Sequence, residues 1–484
     1  MKNFIFGRSA INLFRNLSII LFIITGCAPQ LKIGEQLDMV SVPEQWMVPD
    51  MEGVRSELSW LDGDEFKDLS IIVMLAFENN PDLRISANRL NTAIAQQQIT
   101  SGTRGVTGNL SSGATRTGDF ESGTADKQIF SLRGGLAWEA DVWGRLASDN
   151  AAAQQNVLAV KNDLEYARIS LATRTAQRWF DVTESIMQYN LLELNLSKLT
   201  QAKDLVNSRY ARGLVDVLDV LQLDTNLATA RSNIANQRLT ITERMRILEV
   251  LIGAYPSGDI QKGVSLPSLK KEILLSIPSD MLASRPDIVA SKNRVYEANY
   301  DLNFAKKALY PSLSISGSTT ANGDEIADIV DIDRLVWSVV GNLVQPIFDG
   351  GRRRQQVIIS EINLDTILAG YLKTVLNAYQ EAENALTAEV TLAEQEQHLN
   401  IAVERALASE DKALEQYGKG LTDILSLINV QRSRISSQQS LLRVKHRRLL
   451  NRADLHLALG GANIDNYINE VADTNQVSSN QESL

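Results

Sequence analysis

Hydrophobic residues along most of this chain recur with helical spacing, and in two places that rhythm gives way to a period of two. From Leu58 the pattern is helical. Asn80-Pro81-Asp82 marks a fresh start, with Asn80 as cap and Pro81 at the first helical position, and predicts a helix to about Ile99. Residues 102–123 are then rich in Gly, Ser and Thr, and Gln128–Ala140 forms a second extended run. Further on, Ser312–Gly317 alternates polar and apolar, and Leu335, Trp337, Val339 and Leu343 share one face. Alternation over about ten residues is the pattern of a membrane β-strand. Tyr310, Phe348, Trp138 and Trp143 stand near the strand ends, where aromatic rings favour a bilayer interface. In the first pair the alternation is weak, and a soluble surface hairpin stays open there.

The helical stretches are long. From Gly144 to about Ser208 there is no proline, which predicts a rod of roughly 90 Å at 1.5 Å per residue. The chain reverses near Gly213 and runs on to Leu251. Val220, Leu227, Ile234, Ile241 and Leu248 fall every seventh residue, as do Ile428, Ile435, Leu442 and Leu449, a coiled-coil seam in each case.

These elements occur twice. Residues 209–253 recur without a gap at 416–460, Gly213 returning as Gly420 and Gly253 as Gly460. Arg285-Pro286-Asp287 repeats the helix start at Asn80-Pro81-Asp82, and Arg89 and Ala93 return as Arg294 and Ala298. The chain therefore divides into a first repeat at 58–260 and a second at 261–464. The hairpins fall at about 103–140 and 311–348, and the helical tips at about 209–217 and 416–425. Each repeat reads helix, β-hairpin, long helical hairpin. The fold class is mostly α with a membrane β-barrel part. Four strands cannot close a barrel, and open edges are forbidden in lipid. Two copies would fill their eight-stranded interior with side chains, whereas three copies give a trimeric twelve-stranded barrel with room for a lumen.

Composition adds exclusions. The 484 residues are 44% hydrophobic and 22% charged, enough to build a core, and a net charge of −10 argues against nucleic acid as partner. One cysteine excludes an internal disulfide, and the three histidines (His398, His446, His456) have no metal-ligand spacing. At the N-terminus, Lys2, Arg8 and Arg15 precede an apolar run at Leu17–Ile24 and then Thr25-Gly26-Cys27, the order of a signal peptide over 1–26. Ile24-Thr25-Gly26-Cys27 resembles a bacterial lipobox, cleaved before Cys27, which puts a diacylglycerol and an N-acyl chain on that cysteine; an ordinary signal with an incidental cysteine is the bland alternative. Ala28, rather than an aspartate, favours the outer membrane. Residues 27–57 read as an arm leaving this anchor, and 465–484 as a polar tail.

With those residues in place, the chain resembles a TolC-type outer membrane factor of the lipid-anchored branch serving resistance-nodulation-division pumps. The match is carried by Cys27, Asn80-Pro81-Asp82-Leu83-Arg84, Arg285-Pro286-Asp287, Trp138–Arg145, Gln345–Arg352 and the two Tyr-x-x-Gly-Leu-x-Asp-x-Leu tips. The resemblance implies a homotrimer with a twelve-helix α-helical periplasmic tunnel below the barrel. Around the tunnel it implies an equatorial belt of shorter elements near 254–280, together with the N-terminal arm and the C-terminal end. Its partners are a periplasmic adaptor and an inner-membrane pump, with no cofactor beyond the lipid. It implies passive export of small molecules across the bacterial outer membrane. An outlet for type I protein secretion and a pore-less structural lipoprotein are the alternatives. Two departures stand out. Thr103-Arg104-Gly105 replaces the proline that Tyr310-Pro311-Ser312 keeps, and Ser426 stands where Asp219 stands in the first tip. Relatives carry acidic residues at the second tip as a constriction ring.

Asp423 is the leading site residue, as one carboxylate per subunit of a periplasmic constriction; helix capping is its simpler role. Asp216 and Asp219 read as caps and adaptor contacts, and Gly213 and Gly420 as reversal points. Tyr210 and Tyr417 either bond to neighbouring helices or pack in the core. Arg352–Arg354 reads as a solvated helix start, and Lys445-His446-Arg447-Arg448 as a mixed surface. No catalytic motif is found, so enzyme activity is not expected.

Overall fold

The computed structural model describes residues 46–47, 66–118, 127–260, 265–269, 278 and 284–461. The signal segment, Cys27, nearly all of the arm and the tail lie outside them. The chain divides into two units, Met1–Val42 and Pro43–Leu484, and only the second contains described residues.

The described elements fall into two matching sets. The first begins with α1 (Lys67–Asn79), followed by α2 (Pro81–Gly102), β1 (Thr107–Thr117), β2 (Lys127–Ala140), α3 (Arg145–Tyr210) and α4 (Val217–Leu251). The second contains α5 (Pro286–Lys307), β3 (Ser312–Gly323), β4 (Val336–Val344), α6 (Arg352–Gly418) and α7 (Ile424–Ala458). Paired helices have nearly equal lengths: 22 residues in α2 and α5, 66 and 67 in α3 and α6, 35 in α4 and α7. At 1.5 Å per residue, α3 and α6 are each roughly 100 Å long.

Both repeats use the same joints. Asn80 caps α2 by accepting from the Leu83 N–H at 2.9 Å, and its own amide donates to the Leu251 carbonyl at the end of α4. In the second repeat the corresponding residue is Arg285, only 2% exposed, which donates to the Ala458 carbonyl at the end of α7 and pairs with Asp287 and Glu381. Each strand-to-helix junction is held by a carboxylate at a helix N-terminus, where free N–H groups need acceptors. Asp141 accepts from Leu146 and Ala147 for α3, and Asp349 from Gly351 and Arg353 for α6. The Trp143 ring stacks on Tyr310 at 5.3 Å and donates to the Pro311 carbonyl, tying the first junction to the second hairpin.

Several boundaries differ from the sequence reading. Helix α2 runs to Gly102 rather than about Ile99, because Thr103 and Arg104 close it with local backbone bonds. Thr103–Gly105 form that turn, and β1 starts at Thr107; the Trp138 N–H donates to the Arg104 carbonyl where the second hairpin has its proline. Leu335 ends a 3-10 turn just before β4 and is not a strand residue.

The largest core lies where α1 is wedged into the bundle. Leu69, Ile72, Val73 and Ala76 pack against Leu171, Trp179 and Phe180 of α3, Met245 and Leu248 of α4, and Leu449 of α7. A second cluster lies at the far end of the hairpins, around Val206, Leu223, Leu227, Tyr417, Ile424 and Leu427. Between them, Arg434 and Glu410 form a buried ion pair at 2.9 Å, and Arg434 also reaches Asn195 of α3.

Candidate functional site

The sheet has the order β1-β2-β3-β4, antiparallel throughout, so β1 and β4 are both open edges. Its register sorts every strand residue onto one of two faces. Pairing puts Leu110, Phe130, Leu132, Leu136, Trp138, Leu313, Ile315, Trp337, Val339 and Leu343 on one face. The other carries Thr107, Asn109, Ser111, Thr115, Ser131, Arg133, the serines at 312, 314, 316 and 318, Thr320 and Asn322. Strand β4 alone is ambiguous, because Val336, Val340 and Val344 fall on the polar side; its neighbours settle the faces. The apolar face is uncovered, Leu110 being 76% exposed, Trp337 75% and Leu343 69%. An apolar band backed by a Ser/Thr wall is what a strand needs between lipid and water.

At the opposite end each helical hairpin reverses through the same device. Gly213 (φ 74°) and Gly420 (φ 77°) adopt the left-handed conformation that a side chain resists. Leu214 N–H donates to the Arg209 carbonyl and Gly213 N–H to Tyr210; Leu421 and Gly420 do the same toward Gln416 and Tyr417. This is a Schellman ending. The next helix is then capped by Asp216, accepting from Val217 N–H at 2.6 Å, or by Asp423, accepting from Ser426 N–H at 2.7 Å. The backbone bond from Ser426 holds the Asp423 carboxyl below the usual range.

The structure brings the two tips together. Arg209, at the end of α3, donates to the Tyr417 carbonyl and lies 4.9 Å from that ring's centre. Burial raises the Asp219 carboxyl, and the charges of Asp216 and Asp423 add to the shift, so three carboxylates from two tips share one field. Sequence reading assigned a single carboxylate to the second tip and missed this grouping. The two tyrosines part company: Tyr417 is buried in the tip core, whereas Tyr210 is 48% exposed. Beside the tips, α3, α4 and α7 enclose a groove of about 560 Å³ lined by Asn195, Gln222, Asn226, Asn233, Gln431 and Arg432.

Midway along the rods the run Lys445–Arg448 corrects the mixed-surface reading. Lys445 and Arg447 face outward, but His446 pairs with Asp181 of α3 at 3.0 Å. Arg448 reaches Glu389 and Glu396 of α6. Burial alone would raise the carboxyl of Glu389; Arg452 and Arg448 overcome it and hold the group low. Helical spacing alone did not show that two of these four side chains turn inward. Among the described residues no group of three or more His, Cys, Asp or Glu could hold a metal ion.

A four-stranded sheet with one apolar and one polar face, joined to helical hairpins of such length, has the form of a barrel-and-tunnel membrane channel. Residues 72–254 and 277–461 match the family described as outer membrane efflux protein, and the chain belongs to that family. The Escherichia coli K12 cation efflux system protein CusC is 27% identical over 451 residues, covering 90% of this chain and 97% of that protein. The Pseudomonas aeruginosa outer membrane protein OprJ is 29% identical over 412 residues, covering 81% and 84%. A solved structure of CusC, described for its transmembrane channel formation, superposes with a TM-score of 0.78 at 25% identity over 87% of this chain and 96% of its own.

Proposed function

We propose that this outer membrane efflux protein is the outlet of a tripartite system, a homotrimer that passes small molecules outward without chemistry of its own. The observation that carries this is the four-stranded sheet with two open edges, one apolar face and one polar face. Open edges cannot face lipid, so β4 of one copy pairs with β1 of the next until twelve strands close around a lumen. The long hairpins then assemble into a twelve-helix tunnel. Asp423, three copies near the axis, forms an acidic constriction, while Asp216 and Asp219 together with the amide-rich groove meet a helical hairpin of a periplasmic adaptor. An inner-membrane pump supplies the energy. The tips open as a rigid-body change driven by partners that prefer the open form. Cys27 carries the lipid that tethers each arm.

Electrophoresis in mild detergent tests the assembly. The full chain is expected to run as a trimer that dissociates only on heating, and purified trimers are expected to conduct in planar bilayers. A monomer that is soluble without detergent would overturn the reading. Labelled palmitate incorporated by the wild type and lost in Cys27→Ser tests the anchor.

A further inference from the structure

The polar face of the sheet is almost free of charge. Of its described residues only Lys127, Arg133 and Glu139 ionise, all three on β2. Glu139 is neutralised by Arg145, 2.7 Å away at the head of α3. Lys127 stands at the far end of the strand. Arg133 is exposed in mid-strand, opposite Ser111 on one side and Thr320 on the other, and among the described residues its side chain has no hydrogen-bond or ion-pair partner. It lies six residues, about 20 Å, above Glu139 at roughly 3.4 Å per residue.

We propose that Arg133 makes an anion-collecting station inside the barrel, attracting phosphate, sulfonate or carboxylate groups of molecules in transit. The inference rests on the trimeric-duct reading above, which places three copies of Arg133 at one level of an otherwise neutral Ser/Thr/Asn wall. A ring of arginines on such a wall sets the sign of the local potential. With Glu139, the one described carboxylate on that face, about 20 Å away and already taken by Arg145, each guanidinium offers its full fork of donors to a passing oxyanion. The station is opposite in sign to the acidic tips, so an anion that clears the tips is drawn on toward the outer mouth.

The test uses full-length trimers in planar bilayers at low ionic strength, where charge is screened least, with tripolyphosphate added on the barrel side. Wild-type current is expected to be blocked, and the half-blocking concentration to rise about tenfold in Arg133→Gln. Arg133→Lys should keep most of the block. Equal block of wild type and Arg133→Gln overturns the proposal, and so does a wild type that tripolyphosphate does not touch. A heat-modifiable trimer band from each variant shows that assembly is intact. A wild type with no channel current at all would instead defeat the duct reading, and the proposal with it.

Discussion

Asp423 serves two physical purposes at once, and a pair of substitutions separates them. Its side chain accepts from Ser426 N–H and so satisfies a free donor of α7. Its charge belongs to the field shared with Asp216 and Asp219. Asparagine caps nearly as well as aspartate but carries no charge. Asp423→Asn is therefore expected to keep the wild-type melting temperature while lowering the permeability of cations relative to anions. Asp423→Ala should lower both, with a loss of about 1 kcal/mol from the missing cap. Unchanged selectivity in Asp423→Asn would remove this carboxylate from the permeation path. The capping half of this was legible in the sequence, because Gly420 and Asp423 stand three residues apart and such geometry is local. The clamp of Arg209 on Tyr417 was not, since it joins residues 208 positions apart and no local pattern reports it.

Among the elements, the same joint can be built from unlike side chains, which limits what a repeat discloses. Asn80 and Arg285 both tie a helix start to the last carbonyls of the following hairpin, yet one is a small amide and the other a buried cation. The duplication fixed where the joint lies, while its chemistry needed coordinates. The inward turn of His446 and Arg448 was hidden for a related reason: at the level of Asp181 and Glu389, α7 is flanked by both α3 and α6. Near its end α7 also buries His456, 1% exposed, whose pKa burial alone lowers from 6.5 to about 4. Such a base binds protons more readily when unfolded. Its contribution is complete above pH 6.5 and erodes as pH falls toward 4, by about 3 kcal/mol at 1.36 kcal/mol per unit. Glu297, Asp301 and Asp454, whose carboxyls burial raises, act in the opposite sense. The readout is thus a difference: thermal unfolding followed by circular dichroism should weaken more steeply between pH 7 and pH 5 in the wild type than in His456→Leu. Parallel pH profiles would show that His456 does not titrate on unfolding.

For the whole molecule the decisive question is which side of the sheet meets lipid. The second hairpin gave that away in sequence through Trp337, Val339 and Leu343, whereas β1 is dominated by Gly, Ser and Thr and reveals its faces only through its register with β2. Val339 and Val340 turn this into an experiment, because they are adjacent, chemically identical, both exposed and on opposite faces. An arginine at the lipid midplane costs about 2–4 kcal/mol, and closure of a trimer repeats that cost in every copy. On the wall of an aqueous lumen the same arginine stays hydrated and is tolerated. Val339→Arg is therefore expected to abolish the heat-modifiable trimer and the conductance, while Val340→Arg assembles and conducts with its selectivity moved toward anions. If the two variants assemble equally well, or if their order is reversed, the sheet does not face lipid with its Trp337 side. In that case neither the acidic constriction at the tips nor the arginine ring in the barrel would line a common path.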